Sequence, residues 1–530
     1  EICACLVGSE MCIRDRTDTG WNPDINAVLQ LKVIAKVLNA CDTIIAATDA
    51  SREGEMLFRH LYGFLGCKQP CLRLWISSLT DEAITEGMAN LLPCDRFDNL
   101  FLAADSRNRA DWLLGVNSSY AICKAVGFGN NSLGRVQTPV LAEICRRYRE
   151  RENHMPADSW PVFISLCKND RILKMRHVDD LVVRREALAL YEDCKAAKSV
   201  RITAVGKRTE EIGAPALYNL AELQKDANRY HSLTAIQVQE IAQGLYEKKL
   251  ISYPRTSSRL LPKDVYDTLP PVMEKMLSRK EFRQYADTVD LAAPRDSIEA
   301  QDTMEHHAII ITGTQPGKLD REEMLVYTLI VGRMLETFMP PCKVEYTTVD
   351  TVCAARKFRI RTYRILEKGW LGIFEREHLV AKGCMPYLVM PDLFQEEILP
   401  VAGCSLIHKK SLPVSPYTDE ELVDYMDKAG LGTVSTRTNI LRTLLERKYI
   451  RYSGKYVVPT PKGLFLYETV RSMKVADASL TSGWETELAR IERGELSQEK
   501  FLDGVLETVN EVTGEIFRNH PVKKRQQGTT

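Results

Sequence analysis

The sequence predicts a multidomain chain that combines α/β with α+β units, and three observations carry that expectation. A length of 530 residues holds about three to five domains at the usual domain size. Hydrophobic periodicity switches several times between helical and strand spacing along the chain. Finally, one segment occurs twice: QGLYEKKLISYPRT (243–256) and RTLLERKYIRYSGK (442–455) share an amphipathic helix, an acid with two bases, an apolar pair and a tyrosine.

Taken in order, residues 31–66 read as helix, strand, turn, helix. LKVIAKVLNA has helical spacing, DTIIAATD is a β-branched run ending in an acid, and GEMLFRHLYGFLG is helical again. This is an α/β unit whose polar turn lies at the carboxyl end of a strand, where ligand sites gather. Residues 101–150 read as basic helices. From about 158 to 212 the texture is that of strands (WPVFISLC, VRITAVGK). In SLTAIQVQEIAQGLYEKKL, Thr234 with Gln237 forms a capping box, and Val238, Ile241, Ala242 and Leu245 form the apolar face. A second β-rich stretch covers about 343–408. The chain then closes with helices, a hairpin in KYIRYSGKYVVPT and a polar basic tail, VKKRQQGTT, expected to be disordered. A helix followed by a β-wing is the layout of winged helix-turn-helix modules. The plain alternative is two helix-to-strand junctions built from common residues.

Composition narrows the function classes. Hydrophobic content of 45% and charged content of 27% are those of a soluble globular protein, and no apolar run approaches the roughly 20 residues of a membrane span. No signal peptide is read at the N-terminus. None of the 15 cysteines forms a CxxC pair, so a zinc ribbon is not expected and reduced thiols in the cytoplasm are. Lys+Arg and Asp+Glu both number 71, so composition alone does not suggest DNA; a nucleic-acid footprint would require basic residues to segregate into one groove.

Four constellations could carry chemistry. In IIAATDASREGEMLF, Asp49 and Glu53 sit at a strand-to-helix turn with Ser51, Arg52 and Glu55 alongside, a pattern suited to Mg²⁺, which takes a few carboxylate oxygens and keeps water or phosphate otherwise. The alternative is a solvated acidic turn. In ISYPRTSSR, Tyr253 is a poor nucleophile at its ordinary pKa of about 10, but Arg255 could lower that value and hold a phosphate, with Thr256, Ser257 and Ser258 as further donors. The alternative is a packed tyrosine. In HHAIIITG, a histidine beside a strand could donate to a phosphate or be merely structural. In SLGRVQTPVLAEICRRYRERE, Arg135 and Gln137 precede an arginine-rich helix that suits phosphate contacts, or a solvated charged surface.

In this order the segments resemble the type IA DNA topoisomerases, most closely the bacterial topoisomerase III members. The resemblance spans roughly residues 30 to 500 and includes ATDASREGE, RADWLLGVNSS, SLGRVQTP, LISYPRTSSRLLP, HHAII, GLGTVSTRTNILRTLLERKYI and LTSGWETELARIERGE. It implies a ring-shaped fold of a Toprim α/β domain, a β-rich arch and winged-helix-containing domains. The corresponding ranges are 1–93 for Toprim, 94–150 with 406–505 for a helical DNA-gripping domain, 151–214 with 341–405 for the arch, 215–340 for the tyrosine domain and 506–530 for a tail. The implied activity is ATP-independent cutting of one DNA strand through a 5′-phosphotyrosine, passage of a strand and resealing, giving relaxation or decatenation. Tyr253 is then the nucleophile, with Arg255 and His306 on the phosphate. Arg135, Gln137, Thr256 and Ser258 contact DNA, and Asp49, Glu53 and Ser51 hold Mg²⁺. The implied partner is single-stranded or underwound DNA, and the implied protein a cytoplasmic monomer, nucleoid- or plasmid-associated, without membrane contact.

Departures from the family pattern are specific. Ser51 stands where many members carry a second metal-binding aspartate, Ser257 replaces the aspartate of YPRTDS, and Ile311 stands where the family has proline. The family's first Toprim strand, with its general acid–base glutamate, is expected to be missing, and residues 1–16 to be unrelated sequence. The rival reading is therefore a catalytically impaired DNA-binding fragment. A Toprim nuclease or primase is a third, for which Tyr253 would be dispensable.

Overall fold

A computed structural model describes residues 25–76, 81–126, 131–278, 280, 282–290, 298–299, 306–386 and 391–520. The expectation for residues 1–16 lies outside the described residues. The N-terminal unit contains α1 (Ile25–Leu38), β1 (Ile44–Ala46), α2 (Arg52–Phe64), β2 (Cys71–Arg73), α3 (Asp81–Ala89) and β3 (Leu92–Pro93), with β1 parallel and β3 antiparallel to β2. The β1–α2 junction is the turn read in the sequence. Cys71 and Cys94 are joined by a disulfide, a correction to the expectation of reduced thiols; their Cα atoms lie 5.6 Å apart because β2 and the residue after β3 are neighbours.

Two long helices follow, α4 (Asp98–Val126) and α5 (Gln137–Glu152), and then the β-rich unit: β4 (Asp158–Ser159), β5 (Val162–Lys168), β6 (Arg171–His177), α6 (Arg184–Ala196) and β7 (Ser199–Ile212). Helix α6 was not read in the sequence. Its Ala187, Leu190 and Cys194 are buried, and the 3–4 spacing of these few residues sits between strong strand signals.

The tyrosine-bearing block comprises α7 (Leu220–His231), α8 (Ala235–Glu247), β8 (Leu261–Pro262), α9 (Lys263–Asp267), α10 (Leu269–Leu277), β9 (Ile298–Glu299) and α11 (Arg321–Thr337). The chain then returns to the β-rich unit through β10 (Cys342–Cys353), β11 (Arg356–Glu367), α12 (His378–Ala381), β12 (Met385–Pro386), β13 (Ile398–Leu406) and β14 (Lys409–Lys410). Strand order β10-β7-β13-β5-β6-β11, with β11 pairing back to β10, closes a barrel. Closure removes free sheet edges, so a barrel made from two separate chain segments stays a single unit. Asp226 of α7 links barrel and block: it accepts from Arg333 of α11 at 2.7 Å and from Arg376 at 2.8 Å, all three side chains being largely buried.

The C-terminal part holds β15 (Tyr417–Thr418), α13 (Asp419–Lys428), α14 (Val434–Glu446), β16 (Ile450–Ser453), β17 (Tyr456–Pro459), α15 (Pro461–Val470), α16 (Ala478–Glu492) and α17 (Gln498–Asn519). It shares one hydrophobic core with α4 and α5. The tail expected from residue 506 is corrected: α17 continues to Asn519, and its Val505, Val509, Val512 and Ile516 are buried at helical spacing. Among the described residues no helix is long and apolar enough to cross a membrane.

The repeat in the sequence is a repeat in the backbone. Helices α8 and α14 both begin with a capping box, on Thr234 with Gln237 and on Thr433 with Thr436. Both end on a lysine in the left-handed region, Lys249 and Lys448, each with φ of 59°. The following strands then differ. In the second copy β16 pairs with β17 across a turn at Gly454, as a wing should. In the first copy the strand pairs instead with residues 309–312, through Ser252 N–H to Ile310 O at 2.8 Å and Thr312 N–H to Leu250 O at 3.1 Å.

Gly369 explains how α11 hands over to the barrel. It has φ of 48°, and a Cβ there would lie 2.4 Å from the carbonyl oxygens of Pro340 and Pro341. Gly369→Ala should lower the thermal unfolding midpoint and speed proteolysis near residues 338–342, at a cost of about 1–3 kcal/mol. An unchanged midpoint would mean that this crossing is not tightly held.

Candidate active site

The acidic turn is built around a buried arginine that sequence reasoning did not single out. Arg73, at the end of β2, is fully buried and donates to the carbonyl oxygens of Ala46, Thr48 and Asp49 and to Glu55 Oε2 at 2.9 Å. With the Leu74 carbonyl, five acceptors converge on one guanidinium, so the carboxyl end of β1 is fixed from below. Gly54 is required because a Cβ there would lie 2.1 Å from Asp49 O. The only signal for Arg73 in the sequence is a charged residue in the short strand CLRLW.

The three acids of the turn have separate duties. Glu55 is fully buried and spent on Arg73 and Arg59. Glu53 pairs with Arg107 of α4 at 2.9 Å. Asp49 keeps an exposed carboxylate, and its Oδ2 lies 3.9 Å from His306 Nε2. Ser51 is the N-cap of α2, and its buried hydroxyl accepts the Gly54 N–H at 3.0 Å. Among the described residues no group of three or more His, Cys, Asp or Glu side chains is arranged to enclose a metal. What is present, an exposed Asp49 beside Glu53, fits the Mg²⁺ mode in which one or two carboxylates share the ion with water and substrate phosphate.

Opposite this turn stands Tyr253. Its ring is half-buried between Tyr246 (edge-on, centroids 5.4 Å apart) and His306 (4.4 Å). Burial raises its pKa above 10.0; Arg255 pulls it back and does not prevail, while Asp49 and Tyr246 push it further up. Arg255 thus acts in the expected direction, and burial outweighs it. Burial also lowers the pKa of His306, against the opposing pull of Asp49, so the imidazole is neutral at neutral pH. Arg255 carries a buried Nε without a hydrogen-bond partner among the described residues. A buried unpaired donor is costly and marks a place that an anion would complete.

The equivalent tyrosine of the second copy shows what a structural residue looks like here. Tyr452 donates to Asp419 Oδ2 at 2.9 Å, and the same carboxylate oxygen accepts the Ala235 N–H at 2.7 Å. No such acceptor is supplied to the Tyr253 hydroxyl among the described residues.

Two hydroxyls near Tyr253, those of Thr256 and Ser258, are hydrogen-bonded within the protein. Thr256 is buried, donates to His306 O at 2.8 Å and accepts the Ser258 N–H at 3.0 Å; Ser258 Oγ accepts the Leu260 N–H at 3.1 Å. Both hydroxyls shape the backbone, and Thr256 thereby fixes His306.

Arg135 and Gln137 line a groove of about 750 Å³ between α4, α5 and α14. Arg135 is buried and held by Asp111 at 2.7 Å and Glu485 at 3.0 Å. Gln137 accepts from Arg447 at 2.7 Å. The groove also presents Arg447 and Trp112, both exposed, with Trp112 45% exposed as a stacking surface. Trp112 stood in RADWLLG but drew no reading of its own.

Removing Arg73 tests the support of the turn. Arg73→Met alone should cost about 3–5 kcal/mol in urea unfolding because Glu55 is left buried and unpaired, and Arg73→Met with Glu55→Met should recover much of it. A double variant no better than the single one would show that the other arginine contacts dominate.

The profile of a DNA topoisomerase family matches residues 95–503. DNA topoisomerase 3 of Bacillus cereus is 30% identical over 512 residues, covering 89% of this chain and 68% of that protein. The protein of the same name from Shouchella clausii is 29% identical, covering 92% and 70%. In fold the chain is similar to full-length topoisomerase I from Thermotoga maritima, with a TM-score of 0.73 at 20% identity over 94% of this chain and 83% of that one.

Proposed function

The chain belongs to the type IA DNA topoisomerase family, and on that premise we propose that Tyr253 is its nucleophile, cutting one strand of underwound DNA and holding the end as a 5′-phosphotyrosine. The observation that carries this is the contrast between the two matched tyrosines: Tyr452 is bonded to a buried carboxylate, whereas Tyr253 faces His306 and the Asp49 turn.

The Tyr253 oxygen attacks phosphorus, and the P–O bond to the 3′ oxygen breaks. The phenol proton leaves as the new bond forms, since burial keeps it bound beforehand, and the departing 3′ oxygen takes up a proton in return. Arg255 and the neutral His306 donate to the phosphate oxygens, whose charge grows at the pentacoordinate stage. One ester is exchanged for another, so resealing needs no ATP. Asp49 and Glu53 are the residues that would hold Mg²⁺, which when bound supplies charge neutralisation at the phosphates. Single-stranded DNA reaches the site along the groove of Arg107, Trp112, Gln137 and Arg447. The family match favours this enzymatic reading over that of a DNA-binding fragment.

Incubating the chain with single-stranded DNA and Mg²⁺, then quenching with denaturant, tests the reading. A covalent adduct should form and fall at least about 1,000-fold in Tyr253→Phe, and about 10–100-fold in His306→Ala. An adduct that persists in Tyr253→Phe would refute the nucleophile. The pH dependence gives a second check. A phenol whose pKa lies above 10.0 is protonated throughout the neutral range and loses its proton only as the new bond forms, so the cleavage rate should show no inflection from phenol ionisation between neutral and mildly alkaline pH. An inflection in that range that is lost with the tyrosine hydroxyl would mean a phenolate formed before attack.

A further inference from the structure

We propose that a cationic cleft on the outer surface of the barrel strands β7, β10 and β11 is a second DNA contact, taking the phosphodiester backbone away from the cleavage site. The cleft has a volume of about 430 Å³, and Lys207, Arg208, Arg361 and Lys382 line it with no carboxylate among the lining residues. This is unusual in a chain whose 71 acids balance its 71 bases. The groove between α4, α5 and α14 is itself mixed: Arg107, Arg135 and Arg447 share it with Asp111 and Glu485.

Strand register explains why the cations converge. Gly206, Thr348 and Arg361 are direct neighbours across β7, β10 and β11, and Arg208 stands opposite Tyr346 two residues along. A Cβ at Gly206 would meet nothing closer than Thr348 O at 4.0 Å, so the missing side chain leaves the floor open. Arg208 and Lys382 flank the Tyr346 ring, each 5.3 Å from its centroid, and both turn to a single acid, Glu210. Lys207 reaches Asp392 only at 4.0 Å, and Arg361 has no ion pair among the described residues. More positive charge is therefore gathered here than the nearby acids neutralise.

The chemistry points to a polyanion with charges spread along a line. The cations come from β7, from β11 and from the residue after α12, and they remain exposed, Arg208 to 68% and Lys382 to 47% of the side chain. Such groups suit the loose, salt-sensitive grip on a phosphate backbone better than the convergent buried donors of a compact phosphate site. The inference rests on the DNA-binding reading of the chain.

Lysine acylation footprinting, with mass-spectrometric readout, tests it on the full chain. Saturating single-stranded or duplex DNA should protect Lys207 and Lys382, and a deoxynucleoside triphosphate at equal phosphate concentration should not. In parallel, the Arg361→Ala, Lys382→Ala double variant should lower the slope of log affinity against log salt by about 1.4–1.8, the loss of two phosphate contacts. If both lysines are acylated equally while DNA is bound, or the slope is unchanged, the cleft is not a DNA contact although the chain binds DNA. Equal protection by the triphosphate would overturn the backbone assignment in favour of a nucleotide site. Failure to bind DNA at any salt would overturn this proposal and the functional reading together.

Discussion

The site depends on a strand that borrows its partner. After each repeated helix the chain turns through a left-handed lysine and enters a short strand that needs a neighbour for its backbone groups. In the second copy the next few residues fold back to provide one. In the first copy the partner comes from about sixty residues further on, and it follows closely on His306. Pairing Ser252 with Ile310 and bonding Thr256 to His306 O therefore sets the imidazole against the Tyr253 ring as a consequence of backbone hydrogen bonding. A hairpin in place of this long-range pairing would leave the tyrosine without the histidine.

The acids on the other side of the cleft are positioned by the same economy. Arg73 gathers the carbonyls at the end of β1 and one buried carboxylate, and the exposed Asp49 is left as the group that faces His306. Units far apart in sequence then meet at a distance that a single phosphate could bridge. The electrostatic balance is delicate: burial raises the phenol and neutralises the imidazole, while Arg255 keeps a buried donor unsatisfied. Such an arrangement is poorly suited to stability and well suited to an anion that comes and goes.

Much of this was legible in the residues. The β1–α2 turn, the capping box on Thr234, the hairpin at 450–459 and the repeat all follow from local spacing and turn chemistry. The barrel closure was not legible, because pairing β10 with both β7 and β11 is a long-range choice that alternation does not encode. Arg135, Thr256, Ser258 and Ser51 do stand at the site, yet each spends its polar atoms on the protein itself. A sequence gives a donor's identity but not its existing obligations, and that same blindness hid Arg73 and Trp112. The net direction for Tyr253 escaped for a related reason: the sign of the Arg255 contribution can be read from sequence, whereas the burial that outweighs it cannot.

Three tyrosines compete for the central claim, since Tyr246 touches Tyr253 and Tyr452 is its counterpart in the repeat. Trapping the protein on DNA, digesting with trypsin and nuclease, and sequencing the phosphorylated peptide distinguishes them directly. The account predicts a single modified peptide, Leu250 to Arg255, with the nucleotide on Tyr253. A nucleotide found on Tyr246 or Tyr452, or on a serine of 257–258, would contradict it.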